Sequence, residues 1–232
     1  ERKRNSSSMN NLNHIAFIMD GNGRWGLKKK NTRNYGHLQG VKTVQKMVEA
    51  AILFKIPIIS FYVFSTENWK RPKNETNYLF NLIKIYFRKE IENIIKNKIR
   101  INVLGRLNSL SSDVKKILRL ATKKTKKNKK LIVNLAINYG SKNEIIDSVK
   151  KLNLKSKKIN EKNINDSLYV HLPFPDILIR TGGQKRLSNF MLWQLAYTEI
   201  FFLDKLWPDF SKKDLKKIIN NFFRIKRNFG SI

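Results

Sequence analysis

The segment that begins at Asp20 combines an acidic side chain with two glycines and a basic residue, in the order Asp20-Gly21-Asn22-Gly23-Arg24-Trp25. Glycines let the backbone bend so that several N–H groups point inward, and an arginine adds positive charge, which is how proteins hold a diphosphate. Arg33 and His37 are candidates to add positive charge at the same place. The segment is therefore predicted to bind a phosphorylated ligand, and the alternative is an ordinary turn with a surface aspartate.

Asp20 is unexpected in a phosphate cradle, because a carboxylate repels an anionic ligand. A divalent cation between the two removes the repulsion, and Mg²⁺ is commonly bound by one or two carboxylates together with substrate phosphates. Glu199 lies in the otherwise apolar segment 190–203, where an ionised carboxylate is costly without a metal cation or an arginine nearby. We therefore expect Asp20 and Glu199 to meet at one Mg²⁺ ion.

A second cluster of the same type consists of Arg180-Thr181-Gly182-Gly183 followed by Arg186-Leu187-Ser188-Asn189. The positive charges of this chain are mostly lysines, so arginine at such a place indicates a need for its bidentate fork. Two clusters predict two anion pockets and two phosphorylated substrates. The alternative is helix capping and ordinary surface ion pairs.

Short runs rich in β-branched and aromatic residues alternate with helical patterns along the chain. The predicted strands are 14–20, 58–65, 100–105, 131–139 and 176–181, and the predicted helices lie near 41–54, 74–97, 111–127, 141–154 and 211–226. Near-continuous apolar strands separated by helices predict a single-domain α/β fold with a mostly parallel central sheet flanked by helices. Ligands bind beyond the carboxyl ends of such strands, which is where both clusters lie.

The charge of the chain is strongly positive, with Lys+Arg 48 against Asp+Glu 17 and a formal net charge of +31. This balance fits nucleic acid, anionic lipid or a phosphorylated substrate, and codon usage in an AT-rich genome also produces it. A nucleic-acid-binding protein leaves the contexts of Asp20, Asn68 and Glu199 unexplained, so no specific nucleic-acid partner is expected. The absence of cysteine excludes disulfides, thiolate metal sites and a cysteine nucleophile.

Simple sequence patterns predict an N-terminal tail and the cellular location of the protein. Residues 1–13 are polar and basic and are predicted to form a flexible tail before a catalytic domain over 14–232. The sequence contains no apolar run of transmembrane or signal-peptide length, so a cytoplasmic location is expected. Peripheral contact of the basic surface with anionic lipid at the inner face of the membrane is expected as well.

Five segments together resemble the cis-prenyltransferase family, in particular its bacterial undecaprenyl diphosphate synthases, over about residues 14–210. The segments are 14–25, Gly36-His37, 64–72, 138–140 and 180–199. The resemblance implies condensation of isopentenyl diphosphate onto an allylic diphosphate such as farnesyl diphosphate, with Mg²⁺ and with new Z double bonds. It also implies a homodimer, a hydrophobic tunnel for the growing chain, and undecaprenyl diphosphate for the cell-wall lipid carrier as the product.

The resemblance also implies roles for individual residues. Asp20 is implied to be catalytic and to bind the metal, with Glu199 as a second metal ligand. The residues implied to hold the allylic diphosphate are Gly21, Asn22, Gly23, Arg24, Trp25, Arg33 and His37, and those implied to hold isopentenyl diphosphate are Arg180, Arg186, Leu187 and Ser188. The implied substrate loop comprises Ser65, Thr66, Glu67, Asn68, Trp69 and Arg71. Asn68 is implied to accept a proton, but a carboxamide barely does so at neutral pH, and we expect it to orient or relay while the released diphosphate accepts the proton.

The sequence departs from the family pattern at three positions. Gln184 stands where the family commonly has Glu, Lys185 stands where some members have a metal-contacting His, and Asn228 replaces the arginine of a C-terminal Arg-x-Gly pattern. A catalytically weak partner subunit is the alternative that Gln184 and Asn228 raise, and the retained Asp20, Gly23 and arginines weigh against it. Helices 41–54 and 78–95 with Ile137 are candidate tunnel walls, and plain core is the alternative for each of them.

Overall fold

A parallel sheet of six strands runs through the molecule, for which a computed structural model describes residues 11–227. The strands are β1 (His14–Ile18), β2 (Ile58–Ser65), β3 (Ile99–Leu104), β4 (Leu131–Tyr139), β5 (Ile177–Arg180) and β6 (Glu199–Phe202). Their order across the sheet is β3-β4-β2-β1-β5-β6, and every neighbouring pair is parallel. The predicted α/β fold with a central parallel sheet is confirmed.

Helices connect the strands and cover the sheet. They are α1 (Asn22–Lys30), α2 (Arg33–Leu53), α3 (Lys73–Lys96), α4 (Ser112–Thr125), α5 (Ser141–Leu154), α6 (Glu161–Ser167) and α7 (Lys212–Phe222), with short 3-10 helices at Thr66–Lys70, Leu107–Ser109 and Trp207–Asp209. The five predicted helices are all present, and α2 begins earlier than predicted. Among residues 11–227, no helix is long and apolar enough to cross a bilayer.

The largest part of the core lies where the sheet packs against α2, α3, α4 and α7. Phe17 of β1 stacks on Phe61 of β2 with ring centroids 5.1 Å apart, and Trp207 stacks on Phe210 at 5.7 Å. The Trp207 indole donates a hydrogen bond of 3.0 Å to the carbonyl oxygen of Gly40 in α2. A second cluster on the other part of the sheet packs Phe190 among strand residues and so fixes the segment that follows β5.

A row of buried polar side chains crosses the sheet from β1 to β3. Ser60 lies opposite Asn134, and Asn134 lies opposite Asn102, so that the amide groups of the two asparagines reach their neighbours at 2.9 Å. His14 Nδ1 donates to the Pro173 carbonyl oxygen at 2.7 Å, because a carbonyl only accepts, and its Nε2 accepts from the Ser60 hydroxyl at 2.7 Å. Burial lowers the pKa of His14 to about 4. A row in which every member has a partner rigidifies the sheet.

The described residues end at tightly held positions. Leu12 packs against the core, and the backbone N–H of Asn13 donates to the Asp176 carboxylate at 2.7 Å. Near the other end, Arg227 pairs with the same carboxylate at 3.4 Å. Residues 1–10 of the predicted tail, and Asn228, lie outside the described residues.

Candidate active site

A cavity of about 500 Å³ lies beyond the carboxyl ends of β1, β2 and β5. It is lined by many of the residues predicted from the sequence, namely Asp20, Gly21, Asn22, Gly23, Arg24, Arg33, His37, Ser65, Asn68, Arg71, Arg180, Arg186 and Ser188. Trp25, Thr66, Glu67, Trp69 and Leu187 belong to the same segments but do not line it. The structure therefore brings both clusters that were predicted to bind anions to one cavity.

Asp20 is fixed between the two clusters. Its Oδ1 accepts a hydrogen bond from Arg24 at 3.3 Å, and its Oδ2 accepts one from Arg180 at 3.0 Å. Its backbone carbonyl oxygen accepts from the Thr181 hydroxyl at 2.8 Å and from the backbone N–H of Trp207 at 3.0 Å. The carboxylate is 29 % exposed, so it is held in place while still open to the cavity.

Arg180 connects Asp20 to the second cluster from a buried position, with 4 % of the residue exposed. Its Nη1 donates to the Ser188 hydroxyl at 2.7 Å and to the Arg186 carbonyl oxygen, while its Nη2 donates to Asp20. A buried charge is tolerated only with such partners. One guanidinium therefore organises the carboxylate and the neighbouring loop together.

The glycines at the start of α1 are explained by close packing. Gly21 has a φ of 108°, and a Cβ there would lie 2.7 Å from the Leu206 side chain. A Cβ at Gly23 would lie 2.6 Å from the guanidinium carbon of Arg33. The α1 N-terminus carries no side-chain cap, so its first N–H groups remain open to a ligand. The predicted cradle is thus the start of a helix, with Arg33 packed against it.

Glu75 is a site residue that sequence reasoning missed. Its carboxylate accepts hydrogen bonds from Arg33 Nε at 2.8 Å, Arg33 Nη2 at 3.2 Å, His37 Nε2 at 3.0 Å and Arg71 Nη1 at 3.1 Å. Burial favours a raised pKa for Glu75, but the hydrogen bonds from Arg33 and His37 and the nearby positive charges outweigh burial, and its pKa is below the usual range. Burial lowers the pKa of His37, although the hydrogen bond to Glu75 and the charge of that carboxylate favour a higher pKa.

The loop that follows the second cluster adopts an unusual backbone. Ser188, Asn189 and Met191 have φ angles of 50°, 61° and 47°, a left-handed conformation that non-glycine residues adopt at a cost. Asn189 offsets this cost, because its backbone and side-chain oxygens accept the first two N–H groups of α5 at 2.8 and 2.9 Å. Its Nδ2 donates to Glu67 at 2.9 Å, so Asn189, a member of the second cluster to which the sequence assigned no role, joins the loops that follow β2 and β5.

The segment after β2 is held by its own side chains. The backbone N–H of Ser65 donates to Asn68 Oδ1 at 3.1 Å. The indole of Trp69 donates to Asn138 Oδ1 at 2.8 Å and packs edge-on against Phe64. Trp25 donates to Asp209 at 2.7 Å and stacks on Tyr35. Both tryptophans therefore anchor their segments.

Glu199 lies away from the cavity, and the expectation that it shares a metal ion with Asp20 in one chain is wrong. Glu199 is the first residue of β6 and pairs with Ile177, the first residue of β5, whereas Arg180 at the far end of β5 contacts Asp20. Three residues of strand separate these levels by roughly 10 Å. The Glu199 carboxylate lies 3.6 Å from Arg227 Nε instead. The cation beside Glu199, whose side chain is 32 % exposed, is thus an arginine.

The inner part of the cavity is apolar. It runs between α2, α3 and the sheet, and its lining includes Val41, Val44, Leu79, Leu82, Ile83, Tyr86, Phe87, Leu135 and Ile137. A second cavity of about 140 Å³ continues toward Ile94 and Ile99 and shares Val44, Tyr86, Phe87 and Leu135 with the first. Ile137, a candidate wall residue, lines the first cavity, and the two cavities adjoin at the four shared residues.

Two of the departures from the family pattern lie beside the second cluster. Gln184 Oε1 accepts a hydrogen bond from Arg186 Nη1 at 2.7 Å, so the amide holds the arginine as a carboxylate would, without the charge. Lys185 is exposed. Neither residue closes the cavity.

An α/β sheet that carries one cavity with a cationic mouth and an apolar interior is suited to a substrate with an anionic head and an apolar tail. A family model described as "putative undecaprenyl diphosphate synthase" matches residues 18–230. The isoprenyl transferase of Fusobacterium nucleatum is 42% identical over 220 residues, which cover 94% of this chain and 96% of that protein. The isoprenyl transferase of Rickettsia bellii is 43% identical over 224 residues, covering 96% of this chain and 99% of that protein.

Solved structures agree with the sequence relatives. A probable undecaprenyl diphosphate synthase from Campylobacter jejuni has a TM-score of 0.84 and 39% identity, and the match covers 96% of this chain and 100% of that one. Lavandulyl diphosphate synthase from Lavandula x intermedia, in complex with dimethylallyl diphosphate, has a TM-score of 0.90 and 28% identity, covering 94% and 98%. The chain belongs to the undecaprenyl diphosphate synthase family of isoprenyl transferases, and it is a prenyltransferase of isoprenoid biosynthesis.

Proposed function

We propose that this enzyme condenses isopentenyl diphosphate units onto an allylic diphosphate, with farnesyl diphosphate as the starter, to make a polyprenyl diphosphate with Z double bonds. The observation that carries the proposal is the continuity of one cavity from Asp20 and the arginines to the apolar passage between α2 and α3. In each cycle the allylic C–O bond breaks and a C–C bond forms. The proton lost when the new double bond forms goes to the released diphosphate.

The two arginine clusters on either side of Asp20 suit two diphosphates. We assign the allylic diphosphate to the α1 N-terminus with Arg24, Arg33 and His37. We assign isopentenyl diphosphate to Arg186 and Ser188, with Arg180 behind them and Leu187 alongside. Arg180 and Arg24 hold the Asp20 carboxylate at the boundary of these two places, at 3.0 and 3.3 Å.

The residues present fit a Mg²⁺ ion that shares its ligands with substrate. Within residues 11–227, no three His, Asp or Glu side chains converge, and Asp20 is the acidic residue that lines the cavity. Mg²⁺ typically takes one or two carboxylates and completes its shell with phosphates and water. We therefore assign Asp20, with diphosphate oxygens, to hold it. When bound, the ion supplies positive charge where the leaving diphosphate becomes negative.

Asn68 has the role of an orienting residue in this scheme. Its Oδ1 already accepts the Ser65 N–H at 3.1 Å, which leaves its Nδ2 group as a donor toward a ligand. A donor cannot take the proton of the condensation. The apolar walls keep water from the reacting carbon atoms, and each buried CH₂ of the growing chain contributes about 0.8 kcal/mol to its retention.

The passage favours chain elongation to a long product, and we propose undecaprenyl diphosphate, the lipid carrier of cell-wall synthesis. A homodimer is proposed because β6 is an edge strand and Ile200 and Phe174 are exposed nearby. We place the enzyme in the cytoplasm, peripherally at anionic lipid, because the net charge of +31 favours such a surface. No specific nucleic-acid partner is proposed.

The test is incubation of the purified enzyme with labelled isopentenyl diphosphate, farnesyl diphosphate and Mg²⁺, followed by chain-length analysis of the extracted lipid. We expect a labelled polyprenyl product of discrete length that chelation of the metal abolishes. Absence of any labelled lipid with all three components would rule out the proposed reaction. Sedimentation of the same sample reports whether the active species is a dimer.

A further inference from the structure

Glu75 in the first turn of α3 lies at the meeting point of three basic side chains. Arg33 and His37 come from α2, and Arg71 comes from the segment just before α3. Together they direct four hydrogen bonds of 2.8 to 3.2 Å to the two oxygens of this one carboxylate. Glu75 is only 7 % exposed, so its charge depends on these partners.

The arrangement leaves donors over for a ligand. Arg33 uses its Nε and Nη2 on Glu75, and Arg71 uses only its Nη1. A guanidinium has five N–H donors in a rigid fork, so each arginine retains N–H groups that point elsewhere. Arg33 also lies against Gly23 at the start of α1. The carboxylate thus holds the arginines beside the proposed diphosphate position without using them up.

The charges explain why such a residue matters before substrate arrives. Two guanidinium groups gathered at one place repel each other when no anion is present. Arg33 and Arg71 have side chains that are 45 % and 35 % exposed, and without an anchor they are free to turn toward solvent. A substrate that had to gather them again would bind more weakly, because part of its binding free energy would go into ordering these side chains.

We propose that Glu75 is a positioning residue that assembles Arg33, His37 and Arg71 before the allylic diphosphate binds. This inference rests on the proposed function, since it takes the allylic diphosphate as the ligand of these basic groups. The opposite role, in which Glu75 competes with the diphosphate for the same donors, predicts tighter binding when its charge is removed. The two roles therefore differ in the sign of one measurable quantity.

The test compares Glu75→Gln with the exposed control Glu92→Gln on the same helix, whose side chain is 78 % exposed and pairs with Lys124. Binding of farnesyl diphosphate is measured by equilibrium dialysis, and steady-state kinetics gives the KM for each substrate and kcat. For Glu75→Gln we expect the Kd and KM of farnesyl diphosphate to rise by about tenfold or more, as for a lost charge-assisted contact. The KM of isopentenyl diphosphate and the kcat at saturation should change by less than about threefold, because Glu75 contacts only the basic groups assigned to the allylic diphosphate. Glu92→Gln should behave as wild type.

A residue that merely stabilises the fold would move both substrates together, so the split between them identifies the positioning role. Glu75→Asp keeps the charge and shortens the side chain, and it should lie between wild type and Glu75→Gln. If Glu75→Gln does not fold, Glu75→Asp alone must show the selective weakening of farnesyl diphosphate. Unchanged or tighter binding of farnesyl diphosphate in the folded variants would overturn the inference. A wild-type enzyme that binds neither diphosphate would instead refute the proposed function.

Discussion

The Nη2 atom of Arg180 lies 3.0 Å from Oδ2 of Asp20, although 160 positions separate the two residues in the chain. The contact follows from the sheet, in which Ile18 of β1 pairs with Arg180 of β5. The other terminal nitrogen of the same guanidinium donates to Ser188. One buried arginine therefore fixes the position of the proposed catalytic carboxylate relative to the proposed isopentenyl diphosphate loop.

Arg180→Lys should reduce kcat/KM by about 100-fold or more, because a lysine cannot donate in two directions from a planar fork and two charged contacts are lost. The KM of isopentenyl diphosphate should rise along with the loss in kcat. Arg119→Lys, at an exposed position of α4, is the matched control and should keep wild-type kinetics. Wild-type kinetics in Arg180→Lys would show that the simultaneous contacts of Arg180 with Asp20 and Ser188 are dispensable.

The contact between Glu67 and Asn189 predicts that the two loops function as one unit. Asn189→Asp replaces the donor that reaches Glu67 at 2.9 Å with a second carboxylate, and the KM of isopentenyl diphosphate should rise by about tenfold. Adding Glu67→Gln restores a donor and an acceptor with their roles exchanged. The double variant should return to within about threefold of wild type, and strictly additive losses in this cycle would contradict the coupling.

Product length should respond to the residues shared by the two cavities. Val44→Phe fills the junction between them, and we expect the main product to become shorter by at least one isoprenyl unit. The first condensation should stay within about threefold of wild type, because the change lies away from the reacting atoms. Leu120→Phe on the exposed face of α4 is the control. Chain-length analysis of the lipids that shows the same distribution in all three enzymes would remove this junction from the product path.

Stability should fall on acidification before the carboxylates titrate. His14 is neutral in both the folded and the unfolded state at pH 7, and burial lowers its folded pKa from 6.5 to about 4. Between these values the unfolded state takes up a proton that the folded state cannot, so the free energy of unfolding decreases as the pH drops. At pH 5 this single group should cost about 2 kcal/mol relative to pH 7. His37, whose pKa is also lowered by burial, adds to the trend in the same direction.

Urea unfolding at pH 7 and pH 5 measures this effect. His14→Gln removes the titrating ring and should show a smaller loss of stability between the two pH values, although it is less stable than wild type at pH 7. The sign of the change is informative, because a histidine whose pKa is raised in the folded state would make the protein more stable at pH 5 than at pH 7. An equal pH dependence in the two proteins would exclude His14 as its source.

Local patterns were enough to predict most of the fold. The runs that became β2 and β4, and the helices α3 and α5, have strong periodicity and were placed to within a residue or two at each end. The start of α1 was missed as a helix because the sequence from Asn22 to Lys30 carries glycines and lysines and no apolar stripe. β6 was missed because four residues within a longer apolar segment do not show a period.

The sequence predicted part of the site, and the errors in that prediction have a common cause. Asp20 and the arginines at the strand ends were found because a parallel sheet brings such ends together. Glu199 was correctly inferred to need a cation, but the sequence did not show that β6 starts at Glu199 and that Arg227 lies beside it. Glu75 was missed because Arg33 and His37 lie on a distant segment, and only the packing of α2 on α3 brings them to it. Asn189 was included in the second cluster without a role, because its contacts with α5 and Glu67 depend on packing that the sequence does not show.

The most direct test of the central claim is Asp20→Asn, which keeps the size and shape of the side chain but removes its charge and turns one of its two acceptor oxygens into a donor. Condensation of isopentenyl diphosphate onto farnesyl diphosphate should fall by about a thousandfold or more, because a single preorganised electrostatic contact has effects of this order. Some loss of stability is expected as well, because the buried Arg180 loses its charged partner, so the rates are compared at a temperature at which circular dichroism shows both enzymes folded. Turnover near the wild-type rate in a folded Asp20→Asn enzyme would contradict the account.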